Sequence, residues 1–108
     1  MIAIVAGTDE DGLGEALESE GVEVRRIDGL ATGETLKSAG IAAADLFVLT
    51  DTSDATAIPV AKDANPEIRV VLYARDSLPE FAKGQADLAV DPALLSVDVV
   101  AEELVDTA

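Results

Sequence analysis

Short apolar runs alternate with amphipathic stretches along the chain, and this alternation constrains the fold more than any other feature. Candidate strands occupy residues 2–6, 22–27, 45–50, 68–74 and 86–90, and helical patterns lie near 11–20, 33–39, 54–64, 77–83 and 97–106. Strands one, three and four are almost wholly apolar, as expected when both faces are covered. We predict an α/β fold: a single Rossmann-like doubly wound three-layer domain over residues 1–108, with a five-stranded parallel sheet in the order 3-2-1-4-5.

Residues that begin and end helices support these boundaries. Gly21 and Gly40 follow the first two helical patterns, where a left-handed residue commonly ends a helix. Thr32 is a suitable N-cap for the second helix. Pro66 stops the third pattern, and Pro59 predicts that this helix begins near Ala57, which leaves the proline in its tolerated first turn.

Charge and composition exclude several classes of function. The 108 residues include 22 acidic and 7 basic side chains, a net charge of −15, and no cysteine or histidine. Disulfides, thiolate metal sites and histidine-dependent catalytic triads are therefore ruled out. The acidic surface should repel nucleic acids and anionic membranes, and it is typical of proteins from salt-loving archaea. No apolar run approaches the roughly 20 residues that span a bilayer, so we expect a halophilic, cytoplasmic protein.

The turn after the first strand resembles a dinucleotide-binding loop with one position changed. Gly7 and Gly12 stand at the outer positions of a G-x-G-x-x-G pattern, but Asp9 replaces the middle glycine. That glycine normally lets the backbone approach a pyrophosphate at the helix N-terminus. An aspartate there adds bulk and repulsion, and we expect the phosphate site to be disabled or altered.

Three ordered segments together resemble the nucleotide-sensing N-terminal domain of potassium-transport regulators, the RCK or TrkA-N domain: the turn after strand one with residues 24–28, residues 44–54 with 64–71, and residues 84–92. The first ends in Asp28, about 20 residues beyond Gly7, where an acidic residue binds the adenine ribose. The last contains Gly84-Gln85-Ala86-Asp87 and ends in Asp91-Pro92, similar to that family's fifth-strand signature. The resemblance points to small stand-alone acidic haloarchaeal relatives. Some of these carry a CTP synthetase label, which this sequence does not support because it has no P-loop.

The resemblance implies a ligand site at the carboxyl edge of the sheet and a possible homodimer. The ligand would be NAD or another adenine nucleotide, and Mg²⁺ or K⁺ is a weaker alternative at Asp9, Asp11 and Asp51. The alternative without a ligand is that the glycines serve only close strand–helix packing. The cofactor-binding candidates are Gly7, Thr8, Asp9, Gly12, Asp28, Thr50, Asp51 and Arg75.

A phosphoryl-accepting receiver domain has the same order of elements, but its chemical residues are missing. Thr50 stands where the acceptor aspartate should end the third strand, and Asp51 comes one residue late. Asp91 stands before Pro92, where a receiver needs a lysine to neutralise the phosphoryl group. Ala6 and Gly7 occupy the positions of the expected acidic pair. These departures argue against the receiver interpretation.

No catalytic residues are evident, because the hydroxyl side chains have no base beyond carboxylates. The leading hypothesis is a non-catalytic nucleotide-sensing or regulatory domain with an altered phosphate-binding turn. The alternative is a protein-interaction or scaffold domain that has lost nucleotide binding. A third hypothesis is an enzyme that depends on carboxylate-bound Mg²⁺.

Overall fold

Every β-strand of the protein runs parallel to its neighbours, and helices connect them. The computed structural model describes residues 1–78 and 80–107. The strands are Ile2–Ala6 (β1), Glu23–Arg26 (β2), Leu46–Leu49 (β3), Arg69–Tyr73 (β4) and Leu88–Val90 (β5). The helices are Leu13–Ser19 (α1), Gly33–Ser38 (α2), Ala57–Ala64 (α3), Glu80–Lys83 (α4) and Val97–Asp106 (α5). The predicted α/β class and the five-stranded parallel sheet are confirmed.

The order of the strands differs from the predicted 3-2-1-4-5. The observed order is 2-1-3-4-5, because β3 pairs with β1, Ala3 lying opposite Leu46 and Ala6 opposite Leu49. The physical reason lies in the composition of the two strands. β3 is wholly buried and belongs in the middle of the sheet, whereas β2 carries Glu23, Arg25 and Arg26 and lies at its edge. The connections therefore change direction between β1 and β3.

Two apolar cores lie on opposite faces of the sheet. Successive strand residues point to opposite faces, so Ile4 enters one core and Val5 the other. Helices α2, α3 and α4 cover the face that contains Phe47, while α1 and α5 pack against each other on the opposite face. This is the doubly wound three-layer arrangement, and it leaves the loops at the carboxyl ends of the strands free to form a site.

The predicted limits of α2 and the predicted start of α3 are confirmed. Thr32 accepts a hydrogen bond from Thr35 N, and the Thr35 hydroxyl accepts one from Thr32 N in return. Pro59 lies in the first turn of α3, which begins at Ala57. Gly40 adopts a φ of 85° after α2, as a left-handed terminating residue should.

Asp87 fastens the last strand to the rest of the sheet. Its Oδ2 accepts hydrogen bonds from Val70 N at 2.7 Å and Lys62 Nζ at 2.8 Å. Burial opposes ionisation of this carboxyl. The hydrogen bonds from Lys62 and Val70, with the charges of Lys62 and Arg69, outweigh burial and hold its pKa below the usual range. Asp87 therefore anchors β5 best when it is ionised.

No helix in the described part of the chain combines the length and apolar character needed to cross a membrane.

Candidate functional site at the carboxyl edge of the sheet

The change of direction between β1 and β3 creates a crevice at the carboxyl ends of these strands. Open α/β sheets bind ligands at such a point, because the loops from neighbouring strands leave to opposite faces. Here the crevice is formed by residues 7–12, which follow β1, and residues 50–56, which follow β3. All eight predicted cofactor-binding residues lie along this edge of the sheet.

Asp9 fills the position where a bound anion would meet α1. Its Oδ1 accepts a hydrogen bond from Leu13 N at 2.8 Å, and its Oδ2 accepts one from Gly14 N at 3.0 Å. Its backbone is left-handed, with a φ of 52°, and its side chain is only 11% exposed. The sequence predicted bulk and repulsion at this position. In the structure the Asp9 carboxylate occupies the phosphate position itself, because it accepts hydrogen bonds from the free N–H groups at the start of the helix.

Arg26 lies over the start of α1 and balances the charge of Asp9. Its guanidinium is 3.4 Å from Asp9 Oδ2 and 3.4 Å from Glu18 Oε1. The absence of a side chain at Gly14 makes this possible, because an added Cβ would collide with the Arg26 guanidinium. Sequence reasoning missed Gly14. Its position inside a short helix, where glycine is normally unfavourable, is the available signal.

Thr50 joins the two loops of the crevice. Its hydroxyl donates a hydrogen bond to Ala6 O at 2.9 Å and accepts one from Asp9 N at 3.0 Å. Gly7 lies against this junction with a φ of 98°, and a Cβ there would collide with Thr50 Oγ1 and come within 2.9 Å of Asp51 Oδ2. Gly7 is therefore required by the close approach of the two loops, with no ligand involved.

An acidic cleft of about 270 Å³ lies beside this junction. Arg75, which follows β4, is 3.3 Å from Asp11 Oδ2, and this hydrogen bond and the charge of Asp11 raise the pKa of Arg75 above its usual range. Asp51 Oδ1 accepts a hydrogen bond from Ser53 N at 2.8 Å. The cleft is lined by Thr8, Glu10, Asp11, Thr50, Asp51, Ala74, Arg75 and Asp76. Arg75 thus faces an internal carboxylate at the position predicted to meet a ligand phosphate.

The remaining candidates lie on the β2 side of the crevice. Asp28 is exposed just beyond β2 and faces a second cleft together with Gly7, Thr8 and Asp9. Gly12 has a φ of 76° and begins α1, with open space where a Cβ would project. The structure therefore places Asp28 and Asp9 on the same cleft, while Asp51 and Arg75 line the neighbouring one.

The weak metal candidates do not converge. Among residues 1–78 and 80–107, no group of three or more carboxylates is arranged to hold a metal ion. Both carboxylate oxygens of Asp9 accept hydrogen bonds from α1, and Asp11 forms an ion pair with Arg75. Asp51 accepts a hydrogen bond from a backbone N–H of its own loop.

Asp54 is a buried carboxylate in the loop after β3. It is 4% exposed, and its Oδ1 accepts a hydrogen bond from Ala31 N at 3.0 Å. This contact ties the loop after β3 to the loop after β2. Its role could not be read from the sequence, because a loop aspartate in so acidic a chain is normally solvated.

Tyr73, at the end of β4 on the face covered by α1 and α5, is hydrogen-bonded to the loop that follows β5. Its hydroxyl donates a hydrogen bond to Leu95 O at 2.7 Å. Burial, and then the negative charge of Asp11, raise the pKa of the phenol above its usual range, while Arg75 opposes the shift. The neutral phenol is therefore the form that the fold favours.

We expect Tyr73 to titrate at higher pH in the folded chain than in the unfolded chain. Its contribution to stability is then fully present below the unfolded pKa, about 10, and is lost as pH rises through the folded value. The chain has one tyrosine and no tryptophan, so the absorbance of tyrosinate reports this residue alone. Tyr73→Phe should flatten the fall in stability above pH of about 10. Equal titration midpoints with and without urea would contradict this.

Solved structures with the same fold include receiver domains. An orphan response regulator of H. pylori matches with a TM-score of 0.71 and 17% identity, over 97% of this chain and 94% of that one. A CheY-like receiver domain protein from Methanospirillum hungatei matches with a TM-score of 0.70 and 17% identity, over 98% and 91%. A putative pilus assembly-related protein from Burkholderia pseudomallei has a TM-score of 0.66 and 18% identity, over 98% and 87%. At these identities the similarity shows the fold alone.

These findings overturn the resemblance to RCK or TrkA-N domains and the nucleotide-binding role that it implied. The shared fold has β3 beside β1, as in the receiver domains, and the matching family model is a different one. The segments that suggested the resemblance are strands and turns that several doubly wound folds have in common. Thr50 and Asp91 still depart from what receiver chemistry needs, although the fold is of the receiver type.

No curated protein matches the chain in sequence. A family model does match residues 3–104, and its description is a family of unknown function, DUF7126. The match extends over nearly the whole sequence, and the chain therefore belongs to the DUF7126 family.

Proposed function

We propose that the protein is a non-catalytic regulatory domain that acts by binding another protein. The fold is of the receiver type, and the chain's own side chains already occupy the crevice at the carboxyl edge of the sheet. The proposal retains the regulatory part of the leading sequence hypothesis and the binding role of the alternative, and it leaves out nucleotide sensing.

One observation carries the proposal: the hydrogen bonds that Asp9 and Thr50 make across the crevice. Asp9 satisfies Leu13 N and Gly14 N, and Thr50 links Ala6 O to Asp9 N. An incoming phosphoryl group would have to displace a carboxylate that is 11% exposed and is paired with Arg26. A site that is satisfied internally favours a fixed scaffold over a chemical switch.

Electrostatics also disfavour phosphoryl transfer at Asp51. A phosphoryl group adds about 1.5 to 2 negative charges at neutral pH. The cleft around Asp51 already contains Glu10, Asp11 and Asp76, and its lining cation, Arg75, is paired with Asp11. Asp91 stands before Pro92, at the position where the receiver mechanism requires a lysine. The added charge would therefore meet more repulsion than compensation.

Treatment with a small phosphoryl donor tests the proposal. We expect no change in intact mass when the chain is incubated with acetyl phosphate and Mg²⁺ in molar KCl, and no change in its amide NMR spectrum. A receiver domain that accepts phosphate from the same donor serves as the positive control. A phosphoryl adduct that Asp51→Asn abolishes would contradict the proposal, because it would identify Asp51 as an acceptor.

A further inference from the structure

Three large apolar side chains are exposed in the turn that precedes α5 and in the first turn of that helix. Leu94 is 79% exposed, Leu95 43% and Val99 50%. Leu95 lies directly before the N-cap of α5, Ser96, and Val99 lies in the first turn of that helix, so the three side chains fall within six consecutive residues. We call Leu94, Leu95 and Val99 the leucine patch.

The backbone holds the leucine patch in place. Asp91 O accepts a hydrogen bond from Leu94 N at 2.9 Å, and Asp91 Oδ1 accepts one from Ala93 N at 2.8 Å. The Tyr73 hydroxyl donates a hydrogen bond to Leu95 O at 2.7 Å. The exposure of the leucines is therefore part of an ordered turn, and it does not arise from a frayed segment.

The leucine patch is flanked along the chain by carboxylates. The sequence after Lys83 has no lysine or arginine, and the part that follows β5 contains Asp91, Asp98, Glu102, Glu103 and Asp106. In the described part of the chain, the ion pairs involve carboxylates outside α5. Asp98 and Glu102 are exposed on α5 beside Val99. The surface thus combines an apolar centre with a negative rim.

We infer that the leucine patch binds a cationic amphipathic segment of a partner protein, with apolar side chains against Leu94 and Val99 and lysines or arginines against Asp98 and Glu102. This inference rests on the proposed function and names the partner's chemistry. A second copy of the chain fits less well, because it would bring two rims of the same charge together. Complementary charge at the rim fixes orientation and specificity, and the apolar centre supplies most of the affinity.

A synthetic helical peptide of leucine and lysine, with one apolar face, is the probe. We expect saturable binding, with NMR shift changes centred on residues 94–102. Leu94→Asn should weaken binding by about tenfold, since it removes one large apolar contact. Leu30→Asn is the matched control, because Leu30 is also an exposed leucine, at 69%, but lies in the loop after β2. The control should leave the affinity unchanged, and thermal melting should show both variants folded.

Three results would overturn the inference. The first is equal binding of a scrambled peptide of the same composition, which would indicate attraction to the acidic surface as a whole. The second is equal weakening by Leu94→Asn and Leu30→Asn. The third is self-association in sedimentation that Leu94→Asn abolishes, which would make a second copy the occupant. A phosphoryl adduct would contradict the proposed function, whereas these three results concern peptide binding and self-association. The failure of one proposal is therefore distinguishable from the failure of the other.

Discussion

Replacing Gly7 with alanine should lower the free energy of unfolding by about 2–4 kcal/mol. The φ of 98° disfavours any L side chain, and an added Cβ would collide with the Thr50 hydroxyl and approach the Asp51 carboxylate. Because both neighbours are fixed by hydrogen bonds to the backbone, relief requires the loops after β1 and β3 to separate. Urea denaturation followed by circular dichroism in molar KCl measures the change.

Gly12→Ala is the matched control for this prediction. Gly12 has a φ of 76°, but a Cβ there would meet nothing within 4 Å. The substitution should therefore carry only the cost of a left-handed backbone, about 1 kcal/mol. Equal losses for the two variants would mean that the loops do not approach as closely as described, and that only backbone conformation distinguishes Gly7 from other positions.

Replacing Asp9 with alanine should lower the free energy of unfolding by about 1–2 kcal/mol. The variant loses the carboxylate that accepts hydrogen bonds from Leu13 N and Gly14 N, and it also loses the pairing with Arg26. Asp9→Asn keeps an acceptor and tolerates the left-handed backbone, so it should lose roughly half as much. Denaturant unfolding gives the free energies, and hydrogen exchange at Leu13 and Gly14 locates the effect.

Glu10→Ala provides the control for Asp9, because Glu10 is an exposed neighbour in the same loop. Its removal should change stability by less than about 0.5 kcal/mol. The two amides at the start of α1 should exchange faster in Asp9→Ala and at the parental rate in Glu10→Ala. If both variants behave alike, the carboxylate of Asp9 does not hold the helix.

The strands and helices were predictable because their patterns depend on local sequence. β1, β3 and β4 are apolar runs of strand length, and Pro59 and Pro66 fix the limits of α3. The strand order was not predicted correctly, although the chain carries the relevant signal. A strand with Glu23 and Arg25 suits an edge, and the uniformly apolar Leu46–Leu49 suits the centre. The resemblance of the first turn to a dinucleotide-binding loop favours the order 3-2-1-4-5 instead.

The glycine pattern misled because a turn can require glycine without any ligand. Gly7 and Gly12 both have positive φ, and the packing of Gly7 against Thr50 explains its conformation fully. The alternative that the glycines serve close packing agrees with the contacts of Gly7, whereas at Gly12 a Cβ would meet open space and only the positive φ favours glycine. The cap formed by Asp9 could not be predicted, since it depends on a left-handed aspartate that folds its side chain back onto α1.

The two edge strands of the sheet affect how readily the protein aggregates at high concentration. Unpaired N–H and C=O groups of an edge strand can bind a strand of another molecule, and a chain with three nearly uniform apolar strands is prone to such aggregation. Here β2 forms one edge and carries charged side chains, two arginines and a glutamate. The other edge is β5, which is only three residues long and is followed by Asp91-Pro92. Molar salt would weaken the repulsion between acidic surfaces. The short β5 and the proline after it would still hinder fibril growth under those conditions.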